Sequence, residues 1–191
     1  MPERRKVLLL GDSIRMSYQP LVAQKLEPVA EVVGPSDNCQ YSLYTLSSLD
    51  RWIGQLGEPD IVHWNNGLHD VGHNPSRHPV QIPLDMYVAN LAFILQRLRA
   101  LTPSVIWATT TPAHPDRPFR HDAWSWRTEE ITRYNEAALK LMKDHGVPVN
   151  DLHALILSDV GRYLAADQLH LSPAGQEACA QAVARAIKAC F

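Results

Sequence analysis

The stretch "KVLLLGDSIR", residues 6–15, decides the fold: an apolar run stops at a glycine, and Asp12, Ser13 and a longer amphipathic segment follow. Apolar residues in succession, without polar alternation, fit a short strand covered on both faces, which is the habit of a parallel sheet. Gly11 lets the chain turn sharply out of that strand. Ser13 then has two readings. It is either a helix cap, a position serine and aspartate favour, or a nucleophile whose Oγ stands over the sheet edge while its own N–H points outward toward an anion. On this stretch alone the cap reading comes first.

Outward from it, short apolar runs alternate with longer amphipathic ones. Strands are expected at 6–10, 29–33, 59–64, 104–110 and 147–151. Helices are expected at 13–26, near 43–56, at 84–101 and at 128–145, with a last one after Ser172 and Pro173, a cap and a first-turn proline. On the helix from residue 84, Leu84, Val88, Leu91, Leu95 and Leu98 share one face. Strands each followed by a helix predict an α/β fold, a three-layer αβα sandwich with a five-stranded parallel sheet and right-handed crossovers, built as one domain over 1–191. Ligands of such sheets bind beyond the carboxyl ends of the strands, so the loops after strands one, two, three and five are where chemistry is expected.

Composition narrows the function classes. A chain of 191 residues with 46% hydrophobic content can bury a substantial core. Its 18 basic and 20 acidic residues give a net charge of -2, which argues against nucleic acid as a partner. Three cysteines, an odd count without C-x-x-C spacing, point to free thiols rather than disulfides or a zinc site. The basic start "MPERRK" precedes an apolar run too short for a signal segment or a membrane span. No membrane insertion and a cytoplasmic location are therefore expected; the oligomeric state is left open.

Two further pieces carry chemistry. In "ADQLHLSPAG", residues 165–174, Asp167 and His170 lie three apart just before the last helix. One turn of chain can bring both to one side, the carboxylate accepting the imidazole Nδ1–H and Nε2 remaining free as a base. In "HWNNGLHD", residues 63–70, Asn66, Gly67 and His69 crowd a strand-to-helix loop with donors suited to a developing oxyanion. Each piece alone also reads as an ordinary cap or polar turn.

Together, Gly11-Asp12-Ser13, Gly67-Leu68-His69-Asp70 and Asp167-Gln168-Leu169-His170 resemble, from end to end of the chain, the SGNH or GDSL-type hydrolases. That resemblance implies hydrolysis of an ester or related acyl bond, with Ser13 as nucleophile, His170 as base and Asp167 as its orienting partner, and with no metal or cofactor. It raises Ser13 from cap to nucleophile. Two positions depart from the family's pattern. His69 stands where the family has an asparagine, so the oxyanion donor there is either His69, whose protonation would make it pH sensitive, or Asn66. After the second strand the family's glycine is either Gly34 or is replaced by the Asn38 to Gln40 stretch, which would put the N–H of Cys39 or Gln40 at the site with Asn38 beside it.

Arg15 gives the first block the form G-D-S-I-R and resembles a branch of polysaccharide O-acetyl esterases; it reads equally as a solvated helix residue. His69 and His73, four apart, are separated by Gly72 and followed by Pro75, which speaks against a metal-binding helix. The irregular stretch 112–127, "PAHPDRPFRHDAWSWR", is expected to form a wall or lid over the site; its tryptophans, Trp124 and Trp126, mixed with arginines, suit a polar substrate with flat faces, such as a sugar, or an anionic one. The resulting expectation is a serine esterase acting on a short, acetyl-type ester of a small polar or carbohydrate-like molecule, Asp12, Arg15, Trp124 and Trp126 being candidate substrate contacts. The alternatives are a catalytically weakened glycan-binding module on the same scaffold, or a thioesterase or lysophospholipase of the same family.

Overall fold

The computed structural model describes residues 4–27, 29–76 and 80–191. Residues 1–3, half of the basic start, lie outside them. The strand read from "KVLLL" is β1 (Arg5–Leu10), and Val7 to Leu10 are fully buried, as a strand covered on both faces requires. It is followed by α1 (Ser13–Leu26), β2 (Ala30–Val33), α2 (Ser42–Leu56), β3 (Ile61–Trp64) and the single turn α3 (Leu68–Val71). The chain continues through α4 (Leu84–Leu101), β4 (Val105–Ala108), α5 (Thr128–Asp144), β5 (Val149–Asn150), α6 (Leu152–Leu157), α7 (Val160–Tyr163) and α8 (Pro173–Lys188).

The sheet has five strands in the order β2-β1-β3-β4-β5, and every pairing is parallel. β1 is therefore interior, with Leu8 opposite Val33 on one side and Val62 on the other. Helices α1, α6, α7 and α8 pack together, and α2, α4 and α5 form a second helical layer. The expected three-layer sandwich is present. Its core is aromatic as well as aliphatic: Trp52, Trp64 and Trp107 are almost wholly buried, and the Trp64 and Trp107 rings meet edge to face at 4.8 Å. Such a pair adds about 1 kcal/mol beyond burial of its area.

Differences from the sequence expectation fall at strand ends. β4 stops at Ala108: the Thr109 N–H still reaches the Asn150 carbonyl, but the Thr109 hydroxyl donates to Asp151 Oδ1 and the Thr110 N–H turns to Asn135 Oδ1. β5 is two residues long rather than five. The helices α6 and α7 have no counterpart in the sequence expectation. Each is short and begins on an aspartate cap, Asp151 accepting from Ala154 and Asp159 from Arg162.

Candidate active site

The reversal of strand order next to β1 places the β1–α1 loop beside the β3–α3 loop at the carboxyl edge of the sheet. At the start of α1 the two readings of Gly-Asp-Ser separate. Asp12, not Ser13, is the N-cap: its Oδ1 accepts the Ile14 N–H at 2.9 Å and the residue is 3% exposed. Ser13 is the first helical residue, and its Oγ is free to meet His170 Nε2 at 3.0 Å. His170 Nδ1 lies 2.6 Å from Asp167 Oδ2.

The Asp167–His170 loop is shaped by its own backbone. Asp167 Oδ1 accepts the N–H groups of Leu169 and His170 at 3.1 and 3.0 Å, and Gln168 takes a left-handed φ of 63° that completes the turn. Burial by itself would raise the Asp167 pKa. The hydrogen bonds from the His170 side chain and from these two backbone groups outweigh it and hold the carboxyl below its ordinary value. Asp167 is thus ionised wherever the imidazole needs an acceptor at Nδ1, and Nε2 is turned toward the serine. A hydroxyl, imidazole and carboxylate in that series can transfer the hydroxyl proton and expose an alkoxide-like oxygen.

Ser13 and His170 open onto a cavity of about 340 Å³, walled by Asn38, Leu68, His69, Trp124, Trp126 and Leu169. Of the residues expected to supply donors, only Asn38 and His69 line it. Asn38 Oδ1 accepts the Gln40 N–H at 2.8 Å, which fixes the amide and leaves Nδ2 as its outward donor. His69 is half-buried, with its ring edge-on to Trp124 at 6.3 Å.

Asn66, Gly67 and Cys39 occupy other places. Asn66 is 1% exposed and its amide is consumed: Oδ1 accepts from Trp64 Nε1, and Nδ2 donates to Thr45 Oγ1 and the Gln40 carbonyl. The Cys39 N–H donates to the Gly11 carbonyl at 3.2 Å, so it is committed to tying this loop to β1. Gly67 has φ 150°, and a Cβ there would collide with Thr110 Oγ1; it is a close-approach position of the scaffold. Gly34 is likewise a packing glycine, since a Cβ would lie 2.9 Å from the Leu9 carbonyl oxygen.

Arg15 is neither a solvated residue nor a cavity residue. It is 3% exposed, and its guanidinium donates to the carbonyls of Gly11, Pro35 and Asp37 and to Gln19 Oε1. The arginine holds the loop that carries Asn38, which is the physical use of its place two residues after Ser13. Asp12, as the buried cap, is also absent from the cavity wall. His69 and His73 diverge, because α3 ends at Gly72 and His73 Nε2 lies 2.6 Å from Glu130 Oε2. Among the described residues no group of three or more His, Cys, Asp or Glu is placed to hold a metal ion.

Trp124 and Trp126 do reach the site from the 112–127 stretch, with rings 6.1 Å apart and nearly parallel at 22°. Trp126 Nε1 donates to the Leu68 carbonyl at 2.6 Å, and Trp124 is 39% exposed. Sequence reasoning did not single out Leu68 and Leu169. The available signal was an apolar residue inside each of two otherwise polar loops.

Comparison with known proteins places this geometry. The sequence profile of the GDSL-like lipase/acylhydrolase family matches residues 9–178, most of the chain. Among solved structures, a lipase/acylhydrolase from Enterococcus faecalis superposes with TM-score 0.79 at 24% identity, covering 97% of this chain and 96% of that one. An acetylxylan esterase from Geobacillus stearothermophilus superposes with TM-score 0.78 at 20% identity over 96% and 94% of the two chains. A second acetyl xylan esterase gives 0.77 at 21% identity over 95% and 99%. At such identities these structures attest the fold. No curated protein sequence matches significantly. With the family profile spanning both the Gly-Asp-Ser turn and the Asp-x-x-His loop, the chain belongs to the GDSL-like lipase/acylhydrolase family and is an ester hydrolase.

Proposed function

We propose that residues 1–191 act as one catalytic domain, a serine esterase that removes a short, acetyl-type acyl group from a small polar or carbohydrate-like alcohol by way of an acyl-enzyme. The observation that carries this reading is the hydrogen-bonded series Ser13 Oγ, His170 Nε2, His170 Nδ1, Asp167 Oδ2 at the mouth of a small cavity. Ser13 Oγ attacks the carbonyl carbon as its proton passes to His170 Nε2. The Asp167 carboxylate stabilises the imidazolium that results. The carbonyl oxygen gains charge and is met by the Ser13 N–H, unpaired in the first turn of α1, and by Asn38 Nδ2. His170 then gives its proton to the leaving alkoxide, which departs as the alcohol. Water, deprotonated by the same nitrogen, attacks the acyl carbon and releases the acid with Ser13 restored.

Substrate class follows from the wall. Leu68 and Leu169 are its aliphatic members, while two tryptophans, a histidine and an asparagine make up the rest. That lining suits a short acyl group and a flat, hydroxyl-rich alcohol, and it offers little to a long chain, which disfavours a lysophospholipase. The acetylxylan-type esters of two structural neighbours agree with such an alcohol.

The test is a panel of acetyl, butyryl and octanoyl p-nitrophenyl esters and acetylated sugars, run against Ser13→Ala. Acetyl esters should turn over fastest, and the variant should lose at least about a thousand-fold in kcat. Undiminished activity in Ser13→Ala overturns the nucleophile. One observation favours a second reading: His69 occupies the place of the family's asparagine, as a weakened glycan-binding module would allow. A fluorophosphonate probe separates the two, since labelling at Ser13 supports the enzyme, while glycan affinity without labelling supports the module.

A further inference from the structure

The Asp167–His170 loop is anchored inward by Leu169, which is 5% exposed, while the Asp167 and His170 side chains are 51% and 47% accessible, so burial alone does not fix those two against Ser13. Its inner edge is supported from nearby chain: the Ala165 N–H donates to the His170 carbonyl, and Leu164 and Leu171 form a bridge. Its outer edge, Asp167 and Gln168, is held from the 112–127 stretch. The His114 N–H donates to the Gln168 carbonyl at 2.9 Å, and Arg117 Nε donates to the Asp167 carbonyl at 3.2 Å. Arg117 is also stacked, its guanidinium carbon 4.9 Å from the centre of the Trp126 ring. Trp126 in turn is pinned to the other side of the site by its Nε1–H bond to the Leu68 carbonyl.

One planar cation therefore joins the aromatic wall of the cavity to the backbone of the loop that carries the carboxylate and the imidazole. Among the described residues no carboxylate lies within ion-pair distance of Arg117. Its interactions are the ring face and the carbonyl, which a guanidinium can satisfy together because its N–H groups point outward in the plane while the π-cloud of an indole lies against its flat side.

We propose that Arg117 is a positioning residue for the reaction: it sets the register of the Asp167–His170 loop against Ser13 and couples that register to the tryptophan that meets the substrate. The proposal rests on the serine-esterase reading above, and the experiment keeps the two apart. The first readout needs no turnover. A proton shared between His170 Nδ1 and Asp167 resonates far downfield in the proton NMR spectrum, and it should be visible in the wild-type protein and absent in His170→Ala, which assigns it. In Arg117→Ala it should broaden or vanish. The second readout is kinetic: Arg117→Ala should lower kcat for a small acetyl ester by about ten-fold while KM changes less than about two-fold, the pattern expected when reacting groups are misplaced rather than substrate lost. Arg117→Lys keeps a donor for the carbonyl and should recover part of kcat and of the resonance. A resonance and a kcat in Arg117→Ala equal to those of the wild type overturn the positioning role. So does a fall in kcat shared equally by Arg117→Lys and matched by a lowered melting temperature, which assigns Arg117 to folding. Absence of ester turnover in the wild type, with the resonance responding to Arg117→Ala, refutes the esterase reading and leaves the positioning role standing.

Discussion

Two aspartates at the same edge of the sheet have opposite fates. Asp167 is half exposed, accepts three hydrogen bonds from its own loop, and has its pKa lowered. Asp70, at the end of α3, is wholly buried, and burial pushes its carboxyl up to about 7 against the hydrogen bonds from the Ser42 hydroxyl and backbone N–H. Those bonds both fall on Oδ1, at 2.5 and 2.8 Å; among the described residues Oδ2 meets no hydrogen-bonding partner. Asn90 Nδ2 closes the network on Ser42 Oγ. The first aspartate is kept charged to steer a neighbour. The second ties α2, α3 and α4 together as a near-neutral acid, and the difference between them is solvent, not residue type.

The sharpest way to break that contrast is Asp167→Asn. It should lower kcat by about 10²- to 10⁴-fold, because an amide no longer accepts the Nδ1–H and leaves the imidazole in the wrong tautomer. Its thermal midpoint should barely move, since the carboxyl is half exposed. A calorimetric scan beside the ester assay checks both, and a rate near wild type would remove Asp167 from the series. Asn38→Ala comes next, with about a 10²-fold fall in kcat and little change in KM, as expected on losing one oxyanion donor. If His69→Ala instead shows that loss, the donor is the histidine.

Asp70→Asn tests the other half of the contrast through stability. The native carboxyl keeps its proton to about pH 7, whereas the unfolded one releases it near pH 4. Between those values the native state holds the extra proton, so this group's stabilisation is full below about pH 4 and is lost as pH rises through about 7. The loss is on the order of 4 kcal/mol. Urea midpoints of the wild-type protein should fall from pH 5 to pH 8, and Asp70→Asn, a neutral isostere, should flatten that slope while retaining most of the activity. An unchanged slope would mean the buried carboxyl titrates normally. Asp167 has the opposite linkage: its lowered pKa stabilises above the unfolded value and is lost as pH falls through the folded one, a small effect at an exposed site. The smallest expected effect is Trp124→Ala, a roughly three- to ten-fold rise in KM for an acetylated sugar with p-nitrophenyl acetate little affected.

Much of this was legible in the chain. Short runs rich in apolar residues at 7–10, 61–64 and 105–108 fit strands covered on both faces, and the βα alternation makes the sheet parallel. Two of the three short motifs, on loops at the sheet's carboxyl edge, hold the serine, histidine and carboxylate that the structure brings within hydrogen-bond distance. The short aspartate-capped helices after β5 were not legible, because one or two turns carry no periodicity.

The sequence by itself determined the architecture and which residue types stand at the sheet's carboxyl edge, since periodicity and loop position need no long-range information. Only the tertiary structure decided what each polar group in those loops is for. Asn66 and Asn38 are alike in sequence, but the indole of Trp64 and the hydroxyl of Thr45 consume the amide of one, while the cavity leaves the other a free donor. Arg15 likewise turns inward to carbonyls, and Arg117, at the partly exposed rim, spends its Nε–H on a carbonyl too. Asp12 relieves Ser13 of capping α1. A hydrogen bond is spent once, and where it is spent depends on neighbours that the chain brings from far away.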